Sequence, residues 1–138
     1  MSTKNLDNLV KTGSLKEGPA TDDEVQGLIN RGLVKIEDYK QANLSTDSRF
    51  DLAYNAAHAL CLAALRHAGY RSGNRYLVFQ CAQHTIGLEP EYWRVLSNAH
   101  RERNIAEYEG DIVLNEQLVA ALIRVVDIVA ERVQKLLK

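Results

Sequence analysis

The segment HRERNIAEYEGD, residues 100–111, groups side chains that can hold an anion. His100, Arg103 and Asn104 lie within five residues, and Tyr108 follows one helical turn after Asn104. A guanidinium offers parallel N–H donors to a phosphate or a carboxylate, and an imidazole can transfer a proton near neutral pH. If these groups are held inward they are suited to binding an anion such as a phosphate, and otherwise they form an ordinary solvated helix face.

Arg103 is predicted to face inward. On a helix that starts near Pro90, Arg103 lies within about 30° of the middle of an apolar arc that spans roughly 100°. An inward guanidinium needs a partner, because an unpaired buried charge is strongly destabilising. The alternative is that Arg103 buries only its stem, leaves its charge in water and pairs with Glu107 one turn later. The residues of the arc are Tyr92, Val95, Leu96, Ala99 and Ala106.

A second helix carries a narrow polar stripe that can supply the partner. Asp51 is the candidate counter-ion of Arg103, and Asn55 and His58 follow one and two turns along the same stripe. If this stripe meets the helix of Arg103, the residues form an anion-binding constellation suited to a phosphate. The same residues can equally form a hydrogen-bonded structural network. His58 and His100 can also meet across the helices as an acid–base pair, although a single histidine on a helix flank is more often structural.

Helical signals recur along the chain and strand signals are nearly absent. The pattern predicts an all-α bundle of four principal helices with one or two additional short helices. Residues 1–20 are expected to be a loosely structured N-terminal segment of a single domain that spans residues 1–138. A short, weak helix is predicted over residues 4–12, and residues 75–86 form a helix or a less regular segment. The other predicted helices run from about Asp22 (after a Thr21–Glu24 capping box) to Ala42, from Ser45 or Thr46 to Ala68, from Pro90 to about Tyr108, and from Asn115 to the C-terminus.

Composition limits the classes of function. The formal net charge is −1, so no global basic field attracts nucleic acid, and any such contact must be local. Cys61 and Cys81 lie in apolar helical patterns without metal-ligand spacing, which predicts two reduced core residues, no metal site and no cofactor. The sequence has no uninterrupted apolar stretch of membrane-spanning length and no apolar leader, so we expect a cytoplasmic protein without a membrane partner.

Three segments together resemble the HEPN (higher eukaryotes and prokaryotes nucleotide-binding) domains, in their small stand-alone bacterial and archaeal form. These are YNAAHALCLAAL followed by HAGYR, the pair Arg103–Asn104 in RERNIAEY, and the final amphipathic helix. The resemblance spans about residues 20–137. It implies an up-and-down helical bundle, here an up-and-down four-helix bundle, often a homodimer with the Arg-bearing helices near the two-fold axis. It also implies a place in a toxin–antitoxin system or beside a nucleotidyltransferase.

Many HEPN domains are metal-independent ribonucleases whose signature is an Arg, often followed by Asn, with a His about four to six residues after the Arg. Arg103 and Asn104 match this signature, but Tyr108 stands where the His is expected. A tyrosine with an ordinary pKa near 10 is a poor base at neutral pH. Arg94 and His100 also show the nominal Arg–His spacing, but they diverge by roughly 120° around the helix, which indicates a coincidence.

The sequence therefore predicts a nucleotide-, RNA- or partner-binding module without typical nuclease activity. Its ligand-binding residues are predicted to be Arg103, Asn104, Tyr108, Asp51 and Asn55. The alternative is a metal-independent ribonuclease toxin that uses Arg103 with His100 or His58. The resemblance also suggests Tyr108 as a hydroxyl that a partner nucleotidyltransferase modifies, although a tyrosine that anchors the helix end is the simpler role.

Overall fold

The computed structural model describes residues 3–109 and 115–137, with the side chains of Thr3 and of 106–109 outside the described set. The predicted all-α helical bundle is confirmed, with helix ends within a few residues of those expected. A minimal sheet that the sequence did not reveal joins two short strands. The elements in order are α1 (Thr3–Lys11), β1 (Lys16–Glu17), α2 (Asp22–Tyr39), α3 (Thr46–His67), β2 (Tyr70–Arg71), α4 (Arg75–Thr85), α5 (Pro90–Glu109) and α6 (Glu116–Gln134), followed by a 3-10 turn at Lys135–Leu137.

Polar side chains just before the helices set where they begin. The Thr21 hydroxyl accepts the N–H of Glu24 at 3.1 Å, as the capping box predicts. Ser45 caps α3, and Asn115 caps α6 by accepting the N–H of Leu118 at 2.7 Å. Gly69 follows α3 with a φ of +97°, the left-handed conformation that terminates many helices. The sequence therefore indicated correctly how these helices are delimited.

Helix α3 is the central helix of the bundle and packs against α2, α4, α5 and α6. Much of its buried surface is alanine, which lets neighbouring backbones approach closely. Gly32 of α2 shows the closeness, because a Cβ at that position would lie 2.6 Å from Cγ of Leu60. The fully buried alanines of α3 are Ala53, Ala56, Ala57, Ala63 and Ala64.

Helix α1 matches the short helix predicted over residues 4–12, but residues 3–20 pack against the bundle, so we correct the expectation that residues 1–20 are loosely structured for this described part. Leu6 of α1 and Leu15 are buried in the core. Strand β1 pairs antiparallel with β2, Lys16 opposite Arg71. The guanidinium of Arg66 donates to the carbonyls of Gly18 and Pro19 at 2.9 and 3.1 Å, and these long-range contacts are invisible to local sequence patterns.

Both cysteines are free and buried in the core, as predicted. Burial raises the pKa of the Cys61 thiol to about 12 and that of Cys81 to about 11, so both remain protonated at neutral pH. Within residues 3–109 and 115–137, none of the helices combines the length and the apolar character that a bilayer crossing requires.

The close approach of α2 to α3 gives a paired test. Gly32→Ala is expected to lower the free energy of unfolding by about 2 kcal/mol, because the new methyl group overpacks against Leu60. Gly27→Ala is the control on the same helix, since a Cβ there meets nothing within 4 Å. It should raise stability by about 0.5–1 kcal/mol through helix propensity. Urea denaturation of both variants measures the difference, and equal effects would show that the two helices do not meet at Gly32.

Candidate functional site

The candidate residues meet around Tyr54, a tyrosine of α3 that is 1% exposed. The guanidinium carbon of Arg103 lies 4.8 Å from the centre of the Tyr54 ring, and that of Arg75 lies 5.5 Å from it. Both distances are within the range of cation–π attraction. Arg103 is half-buried and directed at α3, so the inward orientation predicted from the helical wheel is confirmed.

His100 connects Tyr54 to Asn104. Its Nδ1 lies 2.8 Å from the Tyr54 hydroxyl, and its Nε2 lies 3.1 Å from the amide nitrogen of Asn104. In this amide orientation Asn104 donates to Nε2, so the single proton of a neutral imidazole is on Nδ1 and is donated to the Tyr54 oxygen. Both ring nitrogens are therefore engaged. We refer to Tyr54, Arg75, His100, Arg103 and Asn104 as the Tyr54 cluster.

Two further predicted residues, Asn55 and His58, lie beside this cluster on α3. The Asn55 carbonyl oxygen accepts from Nη1 of Arg75 at 3.0 Å. His58 packs edge-on against Phe79, with ring centres 6.1 Å apart, and His100 contacts the same ring at 6.2 Å. The polar stripe of α3 and the Arg103 region of α5 are thus brought together, with α4 between them.

Asp51 does not take the predicted position. Its side chain is exposed, and its backbone carbonyl accepts from the Asn55 amide at 2.8 Å. No ion pair joins Asp51 to Arg103 among the described contacts, so we correct the prediction that Asp51 is the counter-ion. Asp51 lies at the outer edge of the stripe, whereas Arg103 reaches the ring of Tyr54. Glu107 and Tyr108 belong to α5, but their side chains lie outside the described residues.

Arg75 and Tyr54 are functional candidates that the sequence did not single out. Arg75 is the first residue of α4, directly after the capping residue Asn74, and the sequence placed it only at the start of the predicted helix over 75–86 without a functional role. Tyr54 appeared as one of many apolar positions on α3. The one available signal was that Tyr54 directly precedes the predicted ligand Asn55 and lies one turn before His58.

The electrostatics of the site are positive although the whole chain carries a net charge of −1. Burial lowers the pKa of His58 to about 4, helped by the charges of Arg75 and Arg103 and by His100. Burial also lowers the pKa of His100, again with Arg103 and Arg75 contributing. Both histidines are therefore neutral at neutral pH, and the positive charge of the site resides on the guanidiniums.

A cavity of about 590 Å³ adjoins the cluster along α5. His100 and Asn104 open into it, and so does Arg94, although the helical wheel separated Arg94 from His100. Tyr76 of α4 lies on the other side, 41% exposed, with its ring 5.8 Å from that of His100. The cavity therefore combines cations, amide groups and an aromatic face. Its lining is Tyr76, Arg94, Ser97, Asn98, His100, Arg101, Asn104 and Ile105.

Among the residues that the structure describes, no group of three or more His, Cys, Asp or Glu side chains is placed to hold a metal ion. Comparisons with protein-family models, with curated proteins and with solved structures find no match to this chain. The resemblance to HEPN domains therefore depends on the sequence motifs alone.

The proximity of Arg75 to His58 can be measured directly. Arg75→Gln is expected to raise the pKa of His58 from about 4 toward the ordinary value of 6.5, because it removes the charge that contributes most after burial. An NMR titration of the His58 ring protons reports this pKa. Arg124→Gln, the same change at an exposed position on α6, should leave it unmoved. An unchanged His58 pKa in Arg75→Gln would contradict the described geometry.

The buried neutral His58 also predicts a dependence of stability on pH. Its pKa is about 4 in the folded protein and has the ordinary value of 6.5 in the unfolded chain, so the unfolded chain binds more protons between these values. The contribution of His58 to the free energy of unfolding is therefore fully present above pH 6.5 and is lost as the pH falls toward 4. His58→Gln should reduce the loss of unfolding free energy between about pH 7 and about pH 5. His67→Gln, at an exposed histidine, should behave like the wild type; equal pH profiles for all three proteins would refute the prediction.

Proposed function

We propose that this protein binds a phosphate group of RNA or of a nucleotide at the Tyr54 cluster, without typical nuclease activity. The observation that carries the proposal is the convergence of two guanidiniums, those of Arg75 and Arg103, on one buried aromatic ring. Guanidiniums match the geometry of phosphate oxygens, and a partly buried site strengthens such charge-assisted hydrogen bonds. The adjoining cavity with Tyr76 offers an aromatic face on which a base can stack.

The histidines favour binding over cleavage. A general base must have a free basic nitrogen and a pKa near the working pH. His100 has both nitrogens in hydrogen bonds, to Tyr54 and Asn104. His58, with a pKa of about 4, is a weak base at neutral pH. We therefore assign His100 the role of holding Asn104 and Tyr54 in place.

The second candidate function is a metal-independent ribonuclease that uses Arg103 with His100 or His58. The observation in its favour is that both histidines contact the ring of Phe79 and lie in the field of the same two arginines. In that mechanism a histidine removes the 2′-OH proton, and Arg103 stabilises the charge that develops on the phosphorane.

The resemblance to HEPN domains adds expectations about partners. It supports a homodimer with the α5 helices near the two-fold axis, and a toxin–antitoxin system with an antitoxin or nucleotidyltransferase partner. In such a system Tyr108 is a candidate acceptor for modification. Light scattering of the purified protein tests the homodimer, and a monomer mass at all concentrations would remove that part of the proposal.

The binding proposal is tested with an end-labelled oligouridylate and with ATP. Arg103→Gln is expected to weaken binding of the probe by about tenfold or more, the loss of roughly one charge-assisted hydrogen bond to phosphate. Arg103→Lys should restore part of the affinity because it keeps the charge. Arg124→Gln is the matched control. Equal affinity of the Arg103→Gln and Arg124→Gln proteins would overturn the proposal, provided that circular dichroism shows both to be folded.

Incubation of the purified protein with RNA in the presence of a chelator separates the two functions. We expect the RNA to remain intact, because neither histidine is set up as a base. Cleavage that disappears in His100→Ala or in His58→Ala would establish the ribonuclease instead, and the variant that loses activity would identify the base.

A further inference from the structure

A second cavity, of about 370 Å³, opens on the other side of Arg75, where α2, α3 and the start of α4 meet. Three cations line it, and α2 contributes two of them one turn apart, Arg31 and Lys35. We refer to it as the α2–α3 pocket. Its polar lining is Arg31, Lys35, Asn55, His58 and Arg75.

No carboxylate balances these cations in the described part of the chain. Neither Asp nor Glu lines the pocket, and Arg31, Lys35 and Arg75 take part in none of the described ion pairs. Two other partly buried arginines are matched by a carboxylate, since Arg66 contacts Glu24 and Arg132 contacts Glu89. The concentration of three positive charges around one concave surface creates a local potential that attracts an anion.

The side chains are also arranged to donate hydrogen bonds. One nitrogen of Arg75 is held by the Asn55 carbonyl at 3.0 Å, which fixes the guanidinium in the pocket wall and leaves its remaining N–H groups for another acceptor. The Lys35 ammonium adds three donors, and its side chain is partly buried rather than fully extended into solvent. A phosphate group, with several acceptor oxygens, is the complement of this donor set.

We propose that the α2–α3 pocket is a second phosphate-binding site, in which Arg31, Lys35 and Arg75 contact the phosphate oxygens. Arg75 borders both this pocket and the Tyr54 cluster, so one ligand with several phosphate groups can occupy the two together. The proposal of a shared ligand rests on the proposed function, whereas phosphate binding in the α2–α3 pocket does not depend on that function. The phosphate group belongs either to the backbone of a single-stranded RNA or to a free polyphosphate such as the tail of a nucleotide.

The experiment compares two double variants of equal charge change. Arg31→Gln/Lys35→Gln removes the two α2 cations of the pocket, and Lys11→Gln/Arg124→Gln removes two exposed cations that line neither cavity. Binding of inorganic pyrophosphate, ATP and an end-labelled oligouridylate is measured for each. We expect the pocket variant to weaken at least one probe by about tenfold or more, and the control to stay within about twofold of the wild type. The salt dependence of oligouridylate binding should also become shallower in the pocket variant only.

His58 provides an independent readout because it lines the same pocket. Saturation of the wild type with pyrophosphate is expected to raise the pKa of His58, since an anion in the pocket favours the charged imidazole. The Arg31→Gln/Lys35→Gln protein should lose this response. The NMR titration of the His58 ring protons measures this pKa. It detects an anion in the pocket even if the overall affinity for the probe does not change.

The possible outcomes separate this inference from the proposed function. Wild-type affinity in the pocket variant, together with weak binding in Arg103→Gln, would overturn the α2–α3 site and leave the proposed function standing. The reverse pattern would leave the pocket and remove the role of Arg103. Failure of the wild type to bind any of the three probes would remove both. An effect on oligouridylate alone assigns the phosphate to an RNA backbone, and an equal effect on pyrophosphate and ATP assigns it to a free polyphosphate.

Discussion

Two positively charged side chains share one buried tyrosine ring, and this arrangement determines what the site can do. Arg75 and Arg103 come from different helices and would repel one another without groups that accommodate them. The electron-rich face of Tyr54 attracts both, and the neighbouring histidines stay neutral because burial and the guanidiniums lower their pKa values. The charge of the cluster is thus carried by groups that bind anions and cannot transfer protons at neutral pH.

Small side chains on the buried faces of α3 make this arrangement of arginines possible. Alanine on α3 allows α2, α4 and α6 to pack close to it, and side chains from α2, α4 and α5 reach the same turn of α3. That turn carries Tyr54, Asn55 and His58, and their larger side chains fill the space between the helices. Residues of the Tyr54 cluster line both cationic cavities, Arg75 the smaller one and His100 the larger one.

Much of this could be predicted from the sequence, because helix starts and ends are local. The capping residues and the glycine after α3 located the ends of the helices. The apolar arc on α5 predicted that Arg103 faces inward. The residue that contacts a given side chain is often distant in sequence. A helical wheel predicts the direction of the side chain but not which neighbouring helix lies in that direction. Asp51 was therefore named as the counter-ion, and Arg75, on a helix whose crossing of α3 has no sequence signal, was overlooked. The two-residue strands were too short to produce an alternating pattern.

The contacts of residues 3–20 affect how the chain responds to proteases. Residues Thr12–Ser14 form an exposed connection, but the segments on both sides of it are anchored, by Leu6 on one side and by Leu15 with the Arg66 hydrogen bonds on the other. A single cut in this connection would leave α1 attached to the bundle by non-covalent contacts alone. The fragment would be retained in native buffer and released only under denaturing conditions, so a nicked molecule would migrate as an intact one until it is unfolded.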